Sequence, residues 1–247
     1  AQNYSFSSGA ELNLCAGYPR HVLALLAAGV DSSDAVVVEL MQKIKSSECF
    51  DGVLYGEAGI NDDLFALLSL LATNEAISNS QISAIISSIP SDQQTNGAFT
   101  WNGWEGADVT GAAINALKYA AQKGASIDTT IFGKAKNYLK DQQLNDGGWG
   151  FGSSDVLTTS WAVMGINALG EGQSDWVKTG GKNPWHVLTE TLSPQGYYTS
   201  PFTGSKPDWF ATKHAIPALK GGMWPIILSP ISTVDDSDTC SGICNSR

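Results

Sequence analysis

The sequence predicts an all-α protein: an incomplete ring of helical hairpins, with inner and outer helix layers and extended segments at both ends. Three observations carry this. Glycine turns recur about every 45 to 50 residues, a spacing typical of helical-pair repeats. Each turn is followed by an aspartate that opens a helix of small and apolar residues. Between those helices lie amphipathic ones carrying lysine.

The elements follow in order. Residues 1–17 are polar and read as an extended arm. An inner-type helix over 20–28 precedes an outer one over 34–45. The turn Phe50-Asp51-Gly52-Val53 leads to Asp63, which opens Leu64-Phe65-Ala66-Leu67-Leu68. An outer helix is expected over 80–89. The turn Asn96-Gly97-Ala98-Phe99 leads to Asp108 and a helix in which Gly111, Ala112, Ala113, Ala116 and Ala120 predict close approach by neighbours. The outer helix over 129–142 runs into Gln143 and the sharpest turn, Asp146-Gly147-Gly148-Trp149. Asp155 then opens a helix over 156–169 that is apolar nearly all round, so most of its faces must be buried. Gln195-Gly196-Tyr197-Tyr198 leads to Asp208 and a last inner helix ending at 219, broken by Pro217. From Gly221 the chain reads as extended. The division is therefore an arm over 1–17, a repeat domain over 18–220 and a tail over 221–247. A carboxylate at a helix start accepts backbone N–H bonds and suits the positive dipole end, which gives Asp63, Asp108, Asp155 and Asp208 a structural reading.

Composition bounds the partners. Acids outnumber bases 24 to 14, and the net charge of −10 opposes nucleic acid and anionic membrane surfaces. The longest apolar stretches, about a dozen residues, are too short to span a bilayer. The start Ala1-Gln2 reads as a mature end after removal of a secretory signal. Four cysteines allow three pairings. The local pairs, Cys15 with Cys49 and Cys240 with Cys244, each close a loop with little core of its own. A zinc site is the rival, weakened by the absence of two-residue spacing and a nearby histidine. Disulfides imply an oxidising, extracellular compartment or a cell surface.

Lys134-Ala135, Tyr138-Leu139, Gln143, Gly147 and Trp149 resemble the QW-type repeat of squalene and hopene cyclases. The looser copies resemble the wider prenyltransferase and squalene-cyclase-like repeat superfamily, across roughly residues 18 to 220. The resemblance implies an α/α toroid, an inner ring of parallel helices within an outer ring. It leaves the activity open, because that superfamily includes cyclases, prenyltransferase subunits, thioester domains and cobalamin carriers.

Each chemistry has its own test. Class II cyclases protonate an alkene from an Asp-x-Asp-Asp motif, and the nearest match, Ile60-Asn61-Asp62-Asp63, lacks the first aspartate. Prenyltransferases hold zinc with aspartate, cysteine and histidine, and His21, His186 and His214 have no helical metal partner nearby. A glycan-active toroid would use aromatic walls and two carboxylates. Trp101, Trp104 and Glu105 precede Asp108 in a turn that can face the ring mouth, and Glu57, Asp62 and Asp63 hold the corresponding place one repeat earlier. Asp62, Asp63 and Glu105 are thus the candidate catalytic residues. Asp235, Asp236 and Asp238 could ligate calcium, without EF-hand spacing. No cofactor is implied. The expected function is that of a non-catalytic extracellular subunit, at a cell surface or in a filament, self-associating through its terminal segments. The alternatives are a binding module for a small molecule or glycan, and a cyclase-like or glycan-active enzyme.

Overall fold

The computed structural model describes residues 13–229 apart from Val53, Ala58, Pro201 and Phe202. The fold is all-α. In chain order the helices are α1 (Leu14–Ala27), α2 (Ala35–Lys45), α3 (Ile60–Ala72), α4 (Ser80–Ser88), α5 (Ala107–Gln122), α6 (Thr130–Gln142), α7 (Val156–Leu169), α8 (Pro184–Glu190) and α9 (Trp209–Leu219). A hairpin of two-residue strands, β1 (Thr100–Trp101) and β2 (Trp104–Glu105), interrupts the turn before α5. Each odd-numbered helix packs on the next odd one, and each even-numbered helix packs on the odd one before it. Five inner and four outer helices result. The core is shared between them, from Val22 and Leu26 of α1 to Ala215 and Ala218 of α9. Helix α7 is buried on nearly every side, as its composition requires.

Three of the four predicted turns have one construction. The N–H of Gln94, Leu144 and Ser193 donates to the carbonyl of Ala98, Gly148 and Tyr197 respectively. An aromatic residue is then buried: Phe99, Trp149 or Tyr198. Its backbone N–H donates to the hydroxyl of Thr110, Thr159 or Thr212, at 3.0, 3.1 and 3.0 Å. Each threonine is the fourth residue of its inner helix. The polar tips of Trp149 and Tyr198 reach back ten residues to the carbonyls of Leu139 and Leu188. Gln143 donates to Gly147 O and onward to Trp176 O, both at 2.8 Å, and Gln93 does the same toward Gly97 and Ile131. The glutamine therefore ties two of these turns to the segments that follow; in the last, Leu192 stands at that position.

The first turn departs from this plan. Its aromatic plug is Tyr55, beyond the expected Phe50-Asp51-Gly52-Val53. Its hydroxyl donates to Cys15 O at 2.8 Å. That carbonyl is free because its helical partner would be the nitrogen of Pro19, which has no hydrogen. A disulfide joins Cys15 to Cys49 beside it. Cys240 and Cys244 lie outside the described residues, as do Asp235, Asp236 and Asp238.

The aspartates are not one repeated position. Asp155 and Asp208 are N-caps, accepting from Thr158 N and Ala211 N. Asp108 is the second residue of α5. Asp63 is the fourth of α3, where α5, α7 and α9 carry threonine, and the N-cap there is Gly59. Three further expectations need correction. Helix α1 begins at Leu14 and not at 20, because Asn13 caps it by accepting from Ala16 N. Pro217 does not break α9, which continues to Leu219, since a proline this late removes a single helical bond. Residues 221–229 are no free tail. Asn115 holds Trp224 through two main-chain bonds of 2.6 and 2.9 Å. Asn167 donates to Ala218 O and Gly222 O, and Leu228 N donates to Leu26 O. The chain after α9 thus crosses under the ring to α1.

Glycine is required at two kinds of place. Gly111 and Gly165 let α5 and α7 touch: a Cβ on Gly111 would lie 2.3 Å from Trp161 O. Gly147 has φ +97° and lies against the α8 cap, where a Cβ would meet Asn183 main chain at 2.7 Å. Gly196, with φ +84°, has nothing within 4 Å of a Cβ among the described residues. Gly196→Ala should therefore cost about 1 kcal/mol from backbone strain alone. Gly147→Ala adds a main-chain collision and should cost about 3 kcal/mol. Urea unfolding of the two variants measures the difference, and equal losses would contradict the packing described for Gly147.

Candidate functional site

Residues of all five inner helices line a cavity of about 490 Å³. The lining residues of α5, α7 and α9 come from the first turns of their helices, while α1 and α3 contribute as far along as Ala24 and Leu68. Equivalent positions form tiers. The sixth residues of α3, α5, α7 and α9 are Phe65, Ala112, Trp161 and His214. Ala112 is small enough for Phe65 and Trp161 to meet edge-to-face, with ring centroids 6.0 Å apart. Trp161 lies 4.9 Å from His214, and His214 lies 6.2 Å from Trp224. Trp224, carried by the segment under the ring, completes an aromatic floor. Its indole N–H is buried and has no acceptor among the described residues.

Charge is divided around the wall. Glu57, Asp62 and Asp108 line it on the α3 and α5 side. Arg20 and Lys213 line it from α1 and α9. The Asp62 carboxylate accepts from Asn13 Nδ2 at 2.8 Å, Glu57 N at 3.0 Å and Asn61 Nδ2 at 3.2 Å. It is packed under Gly56, where a Cβ would lie 2.4 Å from Asp62 Oδ2. Burial raises the Asp108 pKa, against main-chain N–H groups that favour its carboxylate. Arg20 sits over the Phe65 ring at 5.4 Å and Lys213 over Phe210 at 4.5 Å.

The candidate catalytic residues separate. Asp62 is on the cavity wall. Asp63 faces away toward α4, where Ser88 Oγ donates to it at 3.2 Å. Glu105 is exposed and accepts from Asn96 Nδ2 at 2.9 Å, so it forms no carboxylate pair inside the cavity. Trp101 lines the mouth, while Trp104 points outward, 81% exposed. His21 and His214 bond carbonyls one turn back on their own helices, and His186 bonds the Asn183 cap. Among the described residues no three His, Cys, Asp or Glu side chains group as a metal site, and no helix is long and apolar enough to cross a membrane. Comparison with protein-family models and with curated proteins gives no match. Sequence reasoning passed over Arg20, Trp161, Lys213 and Trp224 as wall and floor. The available signal was the equal distance of Trp161 from Asp155 and of His214 from Asp208, six residues in each; Phe65, two residues after Asp63, did not share it.

Two buried groups oppose each other in pH. Asp63 is pushed up to about 7, by burial first, with the Asp62 and Asp92 charges adding and the Ser88 hydroxyl opposing. Its folded form keeps a proton that the unfolded chain has released above about pH 4, so stability falls as pH rises through that interval. His214 is pushed down to about 4, by burial first, with the Lys213 charge adding and the Phe210 carbonyl and Asp208 opposing. Its unfolded form gains a proton below about pH 6.5 that the folded form refuses, so stability falls as pH drops. Over the shared window the two slopes largely cancel. Asp63→Asn should remove the first slope, leave stability rising between pH 4.5 and 6.5, and stabilise the protein at pH 8 by up to about 4 kcal/mol. Urea midpoints at pH 4.5, 6.5 and 8 test this; a variant tracking wild type at all three contradicts it.

Proposed function

We propose that this chain is an extracellular binding module of the α/α-toroid type, belonging to the prenyltransferase and squalene-cyclase-like repeat superfamily, that holds a small, largely apolar molecule inside its ring. The supporting observation is the cavity. Its volume, about 490 Å³, lies within the usual range for ligand pockets, roughly 300 to 1,000 Å³. It is walled by aliphatic and aromatic side chains with a few polar groups at defined places. The layered hairpins and the Gln143, Gly147 and Trp149 turn support the superfamily reading. The Cys15–Cys49 bridge supports an oxidising compartment.

An alkene-protonating enzyme fits the same wall less well. Ile60 stands where the motif has its first aspartate, and Asp62 has its oxygens engaged by three N–H donors. Two cations on the wall would also repel a carbocation. The assembly-subunit reading rests on terminal segments. Residues 1–12 and 230–247 lie outside the described residues, and 221–229 are used within the ring itself.

Titration with the neutral fluorophore N-phenyl-1-naphthylamine tests the cavity. Saturable one-to-one binding with a raised melting temperature is expected. Ala112→Phe in the tier and, separately, Val109→Trp at the mouth should each weaken it at least about tenfold, or about 1.4 kcal/mol. Binding unaffected by both folded variants would place the probe elsewhere and sink the proposal.

A further inference from the structure

Lys213 is the fifth residue of α9, on the cavity wall beside His214. Among the described residues its ammonium makes no hydrogen bond and no ion pair; its contact is the Phe210 ring. The charge acting on it is Arg20, of the same sign, and burial together with that repulsion lowers the Lys213 pKa. The wall carboxylates do not offset this. Asp62 is taken by Asn13, Asn61 and Glu57 N, Asp108 by main-chain N–H groups at the start of α5, and the Glu57 side chain makes no ion pair with Lys213 among the described residues. A cation held on an apolar wall beside another cation, and without a counter-charge, is costly unless an anion arrives. Both charges are propped on aromatic rings, which fixes them at the wall before any ligand comes.

We infer that the ring takes a monoanionic amphipathic molecule, its carboxylate against Lys213 and its apolar body on the tier of Phe65, Trp161 and His214. This rests on the cavity reading above. The single charge follows from the rest of the wall. Glu57, Asp62, Asp108 and the net charge of −10 repel a dianion about twice as strongly as a monoanion, with the same Lys213 charge to offset it.

The test is displacement of N-phenyl-1-naphthylamine at pH 7 by decanoate and by decanol, matched in chain length and differing in charge. Decanoate should displace the probe at a concentration at least about tenfold lower than decanol. Lys213→Met, which keeps the side-chain stem and removes the charge, should bring the two within about twofold, each competitor being read against the probe affinity measured for that variant. Lys213→Glu should reverse the preference. Equal competition in wild type, with the probe bound, overturns the anion site and leaves the cavity reading intact. A decanoate preference that survives Lys213→Met overturns it too. A wild-type protein that does not bind the probe removes both.

Discussion

The fold depends on how each return from an outer helix to the next inner one satisfies its main-chain groups. The last carbonyls of one helix and the first N–H groups of the next meet in a turn whose buried groups need partners within the chain. The solution is a threonine hydroxyl at the fourth position of the inner helix, bonded to the backbone of the aromatic plug. A glutamine amide then carries the turn over to the following segment. Because three turns deliver α5, α7 and α9 in the same way, these helices share one level relative to their turns. Equivalent positions therefore stack into tiers. The fourth residue faces the turn, and the sixth faces the centre. The cavity is a consequence of this shared level.

Packing density then sets what the cavity contains. Gly111 and Gly165 bring α5 against α7 with main chain in contact. That closeness, with Ala112 between them, lets Phe65 and Trp161 touch across α5. A larger sixth residue on α5 would separate the rings and fill the tier. The underside is closed by chain and not by another helix pair. Asn115, fully buried, spends both ends of its amide on the backbone of Trp224, so the floor is held by hydrogen bonds that have no competing solvent.

The repeat was legible where the residue type itself is diagnostic. Glycine at positive φ, an aromatic plug and an apolar helix such as α7 announce their environments, and the Cys15–Cys49 pairing followed from loop closure. Thr110, Thr159 and Thr212 were not legible, since a threonine early in a helix looks like any tolerated residue. The aspartates drew attention because carboxylates suit helix starts, yet Asp155 and Asp208 are caps while Asp63 occupies a threonine site. The offset is two to four residues, below what boundary signals resolve. The floor was invisible for another reason. Asn115 and Trp224 are separated by 109 positions, and an extended apolar stretch reads alike whether it leaves the domain or folds beneath it.

The first hairpin shows what replaces the repeated turn when its residues are missing. It has no glutamine in the linking position, its plug is Tyr55, and its fourth helical residue is an acid that burial holds near neutrality. Gly59, with no side-chain oxygen, starts its inner helix. Every substitution weakens the same junction. The compensating contacts gather at that place. Pro19 frees the Cys15 carbonyl for the Tyr55 hydroxyl, Asn13 reaches Asp62, and the disulfide closes a loop of sequence separation 34. Such a cross-link stabilises by about 3–4 kcal/mol through the entropy of the unfolded chain. That is comparable to the loss of two or three buried hydrogen bonds at roughly 1 to 1.5 kcal/mol each. The bridge therefore stands where the polar clamp is absent. Its location beside Asp62 also keeps the most acidic part of the cavity wall fixed while the turn that carries it is the least regular of the four.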